Sequence, residues 1–155
     1  MQAVTRRIQA VVTPDSIVAA IPVAVVSEAN MREHWAAKHR RKKMQQAAVR
    51  LWLQTALHRP PFGPPYIVTM TRVGKRALDS DNLAGACKHV RDEVARLLGV
   101  NDGDTESASW LYDQRRGDPG IVIQVEPRTR ERIKAAVLRA CAVNTSGRRK
   151  RAEAV

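Results

Sequence analysis

Seven carboxylates crowd residues 79–106: Asp79, Asp81, Asp92, Glu93, Asp102, Asp104 and Glu106. Three cations, Lys88, Arg91 and Arg96, stand among them. The chain as a whole leans the other way, with 27 Lys and Arg against 15 Asp and Glu and a formal net charge of +12. A surplus of that size points to a polyanionic partner, and nucleic acid is the commonest one. Carboxylates repel phosphate, so a basic surface that keeps them has a use for them. A divalent cation supplies one, because it takes oxygen ligands and bridges carboxylate to phosphate.

Spacing sharpens this reading. On a helix advancing 100° per residue, Leu83, Cys87, Val90, Val94 and Leu97 fall on one face. Asp81, Lys88 and Asp92 fall within about 40° of one another on the opposite face, with Gly85 beside them, where a backbone can approach closely. Asp79 stands two residues before Asp81, and in an extended Asp79-Ser80-Asp81 both carboxylates point the same way. Each feature also has an ordinary explanation. Asp81 suits a helix N-cap, Lys88 and Asp92 suit a surface i,i+4 pair, and Asn101-Asp102-Gly103-Asp104 suits a turn. Their coincidence in one basic chain favours chemistry. An EF-hand is excluded, since its ligand spacing and closing Glu are missing.

The elements that must position these residues read as follows. Residues 1–16 are a ragged start, and the β-branched stretch Ile17 to Val26 is a strand. Ser27 to Met31 is turn-like. Arg32 to Leu57 has helical periodicity, with Met44, Ala48, Leu51 and Thr55 as its inward stripe. Arg32, Lys38, Arg40, Arg41, Lys42, Lys43 and Arg50 lie on its outer surface, and the run Arg40 to Lys43 is too dense to face inward, so it is assigned to phosphate. Pro60, Pro61, Gly63, Pro64 and Pro65 end the helix. Tyr66 to Val73 is a second strand, Lys75 and Arg76 lead into the acidic segment, and a helix runs to Leu98, where Gly99 stops it. Ser107 to Gln114 and Ile121 to Val125 are two strands around the turn Gly117-Asp118-Pro119-Gly120. Glu131 to Val143 is a terminal helix, and 144–155 is a frayed basic tail. The order β-α-β-α-β-β-α predicts a mixed α/β sheet with packed helices in a single domain, with its core at about 17–143.

Composition excludes several classes. Cys87 and Cys141 form no CxxC pair, so neither a disulfide framework nor a cysteine zinc site is expected. His34, His39, His58 and His89 have no metal-ligand spacing. A reducing cytoplasm fits this cysteine usage. No segment is long enough to span a membrane, and Pro14, Asp15 and Pro22 interrupt the early apolar stretch in a way that does not suit a signal peptide. Few aromatics argue against an RNA-binding module built on stacking platforms.

At Lys75-Arg76, Asp79-x-Asp81-Asn82, Lys88-x-x-x-Asp92, Gly99 and the pair Asp102 and Asp104, the sequence resembles the RusA family of Holliday junction resolvases. Ser27-Glu28-Ala29-Asn30, ahead of a basic helix, resembles the family's N-terminal pattern. The likeness spans residues 18–126. Lys88 follows Asp81 by two helical turns where the family member known best has one, which keeps the same face. The resemblance implies a RusA-like mixed α/β homodimer, bacterial or phage-encoded, that cuts branched DNA with Mg²⁺ or Mn²⁺ and no organic cofactor. It implies metal ligation by Asp79, Asp81 and one of Asp102 or Asp104. It further implies charge compensation by Lys88 and phosphate contacts from Lys38, Arg40, Arg41, Lys42, Lys43, Lys75 and Arg76. Two rivals are a metal nuclease of another family, for which no acidic-x-Lys triplet lies on a predicted strand, and a non-catalytic DNA-binding protein whose carboxylates only cap and turn.

Overall fold

Alternating β-branched residues lay down the sheet. The computed structural model describes residues 10–29 and 31–139; Asn30, Cys141, residues 140–143 of the expected terminal helix and the expected basic tail lie outside them. Five strands, β1 (Val11–Thr13), β2 (Ser16–Ile21), β3 (Tyr66–Gly74), β4 (Ala108–Arg116) and β5 (Gly120–Pro127), form one sheet in the order β1-β2-β5-β3-β4. The β3–β4 pair is parallel and the others are antiparallel. On one face Ile17, Ala19 and Ile21 of β2, Ile121, Ile123 and Val125 of β5, and Tyr66, Val68 and Met70 of β3 are buried, the period-2 pattern of a covered sheet.

Three helices cover that face: α1 (Trp35–His58), α2 (Ser80–Ala86) and α3 (Lys88–Leu98). A fourth helical stretch, α4, covers residues 130–139. Its Ala136 meets Thr69 and Thr71 of β3 and Gln124 of β5 in a small depression on the other face. Of the five residues that the helical wheel places together, Leu83, Cys87, Val90 and Val94 are buried and Leu97 is half-buried. Each such side chain contributes about 1.5–3 kcal/mol through the water it sheds. The chain is thus mixed α/β, as the order of elements predicts. Among the described residues no helix is long and apolar enough to cross a membrane.

Four local expectations are corrected. The ragged start contains β1, which pairs with β2. The inward stripe of α1 is not Met44, Ala48, Leu51 and Thr55: Met44 and Leu51 are 57% and 62% exposed, while Gln45, Val49, Leu53 and Leu57 face the core. Gln45 goes inside because its Nε2 donates to the Ala24 carbonyl at 3.0 Å, a bond that a hydropathy pattern does not register. The acidic-segment helix is two helices, broken at Cys87 (φ −81°, ψ −4°). The last two strands do not pair with each other, because β3 lies between them. Their connection passes over the end of β3, where Gly117 N–H donates to the Gly74 carbonyl at 3.2 Å. A Cβ at Gly117 would sit 2.8 Å from Val73 Cγ1, so the crossing needs glycine.

Candidate functional site

The acidic segment is aimed by β3 and β4. As β3 ends, Leu78 N–H donates to Gln114 Oε1 at 2.8 Å, and Gln114 Nε2 donates back to the Leu78 carbonyl at 2.6 Å. This two-way bond holds the chain extended just before Asp79. Asp79 then caps α2: Oδ1 accepts from the Asn82 N–H and Oδ2 from Asn82 Nδ2, both at 2.9 Å. The N-cap is therefore Asp79, which leaves the Asp81 side chain without that task.

A second segment, 55 residues earlier, meets this one. Buried Arg72 of β3 donates through Nε to the Val25 carbonyl at 2.7 Å and through Nη1 to the Arg76 carbonyl at 2.9 Å. It thereby ties the chain after β2 to the chain after β3. Two residues beyond Val25, Ser27 Oγ donates to Asn82 Oδ1 at 3.0 Å. Glu28 ties its segment to α1: Oε1 takes Arg41 Nη1 at 2.8 Å and Oε2 takes Lys38 Nζ at 3.1 Å, while His89 Nε2 of α3 lies 3.7 Å from Oε1, outside hydrogen-bond reach. Burial works to raise the Glu28 carboxyl, but its bonds to Arg41 and Lys38 outweigh that and hold it below its ordinary value. Burial pushes the His89 imidazole down, with the Glu28 charge opposing.

Between these segments opens a cleft of about 560 Å³, lined by Ser27, Glu28, Ala29, Lys38, Asp81, Asn82, Gly85, Lys88 and His89. Asp81 and Lys88 thus share one cleft despite the break at Cys87. Lys88 Nζ lies 3.2 Å from Asp92 Oδ2, an exposed i,i+4 pair on the rim. Asp81 is exposed and has no hydrogen-bond or ion-pair partner among the described residues.

The other carboxylates of the island are engaged elsewhere. Glu93 is buried between Arg50 (2.8 Å) and Arg96 (2.6 Å), locking α1 to α3. Asp102 pairs with Arg91 Nη2 at 3.0 Å. Burial works to lower Arg91, but the hydrogen bond to Tyr112 and the charge of Asp102 raise it above its ordinary value. Asp104 serves its turn, accepting from Ser107 Oγ at 2.6 Å and from the Glu106 N–H at 3.0 Å, and the Ser107 bond leads in lowering its pKa. Among the described residues no three His, Cys, Asp or Glu side chains stand close enough to hold one ion. Asp79 and Asp81 flank the start of α2, and neither Asp102 nor Asp104 completes a set of three with them. Cys87 is buried, with its thiol pushed up to about 11, and is no ligand.

The basic residues divide. Arg40 and Lys43 are exposed and Lys42 is half-buried. Arg41 departs from the sequence assignment to phosphate: Glu28 and Glu33 hold it, and its side chain is 16% exposed. Lys38 remains 59% exposed at the cleft. Lys75 and Arg76 are exposed at the end of β3, where Lys75 shares a shallow depression with Arg115 and Arg116 of β4. Sequence reading missed Arg115, Arg116, His89 and the role of Gln114, since only the parallel β3–β4 register and the helix break bring them to this end of the sheet.

No protein-family model matches the chain, and a search of curated proteins finds no match.

Proposed function

We propose that this protein is a metal-dependent endonuclease acting on branched DNA, of the RusA type, with its active centre in the cleft between Ser27–Glu28 and the start of α2. The observation that carries the proposal is an unpartnered carboxylate, Asp81, in a cleft that Lys38, Lys88 and His89 also line, on a chain of net charge +12. A carboxylate left without a cation beside a surface suited to phosphate is costly unless something positive comes with the ligand.

The donor chemistry suits Mg²⁺ or Mn²⁺. Mg²⁺ keeps several waters and is commonly held by one or two carboxylates together with substrate phosphate, so Asp79 and Asp81 suffice as the protein's share. Such an ion, when bound, lowers the pKa of a water and polarises a phosphoryl oxygen. The chain's own residues do the rest. Asn82 bonds both Asp79 oxygens and Ser27, fixing the cap. Lys88, released from Asp92, offsets charge that builds on phosphate oxygens. Arg40, Lys42, Lys43, Lys75 and Arg76 hold the DNA backbone. A two-fold symmetric dimer would present two such clefts to a four-way junction.

A second reading, a DNA-binding protein without catalysis, is favoured by one observation: Asp102 and Asp104 are both occupied, by Arg91 and by the turn. Incubating a labelled four-way junction with the protein in Mg²⁺ and in EDTA separates the two. The nuclease reading expects symmetric nicks in Mg²⁺ alone; binding without nicks in either condition supports the second.

A further inference from the structure

Trp35 stands apart from the other tryptophans. Trp52 and Trp110 pack against the core, whereas Trp35, the first residue of α1, is 72% exposed. An indole so far out of contact is an outlier for its type. Two imidazoles sit beside it, His34 with ring centroids 5.7 Å away and His39 at 6.5 Å, both tilted to the indole. Lys38 follows by three residues, on the same side of the helix, and lines the cleft that holds Asp81. Arg32, Lys38, His39 and Arg40 around it are all exposed.

We propose that Trp35 is a stacking platform for an unpaired nucleobase, held beside the cleft while the neighbouring cations take the phosphates. The charge around the indole selects this occupant. Cores of protein–protein interfaces are depleted of charged residues, whereas grooves for single-stranded nucleic acid combine exposed aromatics with cations. In an intact duplex every base already stacks within the helix, so Trp35 acts only where a base has lost its stacking neighbour and frays from its pair, as at the open centre of a junction. It discriminates branched or frayed DNA from plain duplex. This inference rests on the reading of the protein as one that acts on branched DNA.

The test uses the full chain, a fluorescent four-way junction and a fully paired duplex of equal length, in EDTA so that no strand is cut. Wild type, Trp35→Ala and Trp35→Phe are titrated against both. Stacking on an aromatic side chain predicts that Trp35→Ala weakens junction binding by about 5- to 150-fold while duplex binding is unchanged. Trp35→Phe recovers most of the loss, and 2-aminopurine placed at the branch is quenched by wild type but not by Trp35→Ala. If wild type binds the junction and Trp35→Ala binds it equally well, or loses junction and duplex affinity alike, the stacking role is overturned and the nuclease reading stands. Sedimentation in which Trp35→Ala shifts the oligomeric state with its 2-aminopurine signal intact overturns it too, assigning the indole to a second copy of the chain. Wild type that binds neither DNA overturns both readings.

Discussion

Replacing Glu28 by Gln tests how the cleft is held open. The Glu28 side chain is 18% exposed and ties its segment to α1 by way of Arg41 and Lys38. The Lys38 bond involves a side chain 59% exposed and is worth little. The Arg41 bond, at 2.8 Å to a guanidinium 16% exposed, is the one that counts. A hydrogen bond to a charged group contributes about 1.5–3 kcal/mol. The glutamine keeps one acceptor oxygen and Arg41 keeps Glu33, so the net loss is about 1–2 kcal/mol. For a chain of this size that lowers Tm by about 2–8 °C. The pH dependence has a definite sign. The Glu28 carboxyl is depressed in the folded state, so its contribution is complete above its ordinary value of 4.5 and is lost as pH falls through the lower folded value. Thermal melts should therefore show a gap between wild type and Glu28→Gln that is full at neutral pH and closes as pH falls below 4.5 and through the lower folded value. Equal melting temperatures at neutral pH, or a gap that persists undiminished in acid, would refute the clamp.

Three further outcomes follow from the same geometry. Replacing Arg40, Lys42 and Lys43 by Ala, with Arg41 left in place, should flatten the salt dependence of DNA binding by about two to three in log–log slope; an unchanged slope makes this run a merely solvated face. Gly99 ends α3 at φ +69°, so Gly99→Ala should destabilise by about 1 kcal/mol in urea unfolding, and no shift in the midpoint would contradict the left-handed cap. Because Asp102 is committed to Arg91 and Asp104 to Ser107, Asp102→Asn and Asp104→Asn should each lower Tm and leave Mg²⁺-dependent cleavage largely intact. Rates measured beside melts decide this, and loss of cleavage by either folded variant would make that carboxylate a third ligand.

The sequence discloses features carried by one element and hides those that need two. The stripe Leu83, Cys87, Val90 and Val94 is legible because each residue is apolar and recurs at helical spacing, although the break at Cys87 within it is not. Gly99 is legible because a left-handed cap has few alternatives to glycine. The stripe of α1 is not, since it runs from Gln45, whose Nε2 reaches a carbonyl on another segment, through Val49, Leu53 and Leu57. Nor is the fate of the acidic island. Glu93 is spent on Arg50 of α1, Asp102 on Arg91, and Asp104 on its own turn, and only the last of these partners is local in sequence. The convergence of Ser27–Glu28 with Asp81 and Asn82 depends on buried Arg72, whose role a strand pattern conceals.

On the proposed nuclease function, Asp81 serves chemistry and not folding, and cleavage by Asp81→Asn is the decisive measurement. With Mg²⁺ and a labelled four-way junction, wild type should cut, while Asp81→Asn should fold, bind the junction at least as tightly, and not cut, because removing this carboxylate loses the ion and relieves repulsion of phosphate together. A folded Asp81→Asn protein that cuts at the wild-type rate would contradict the account.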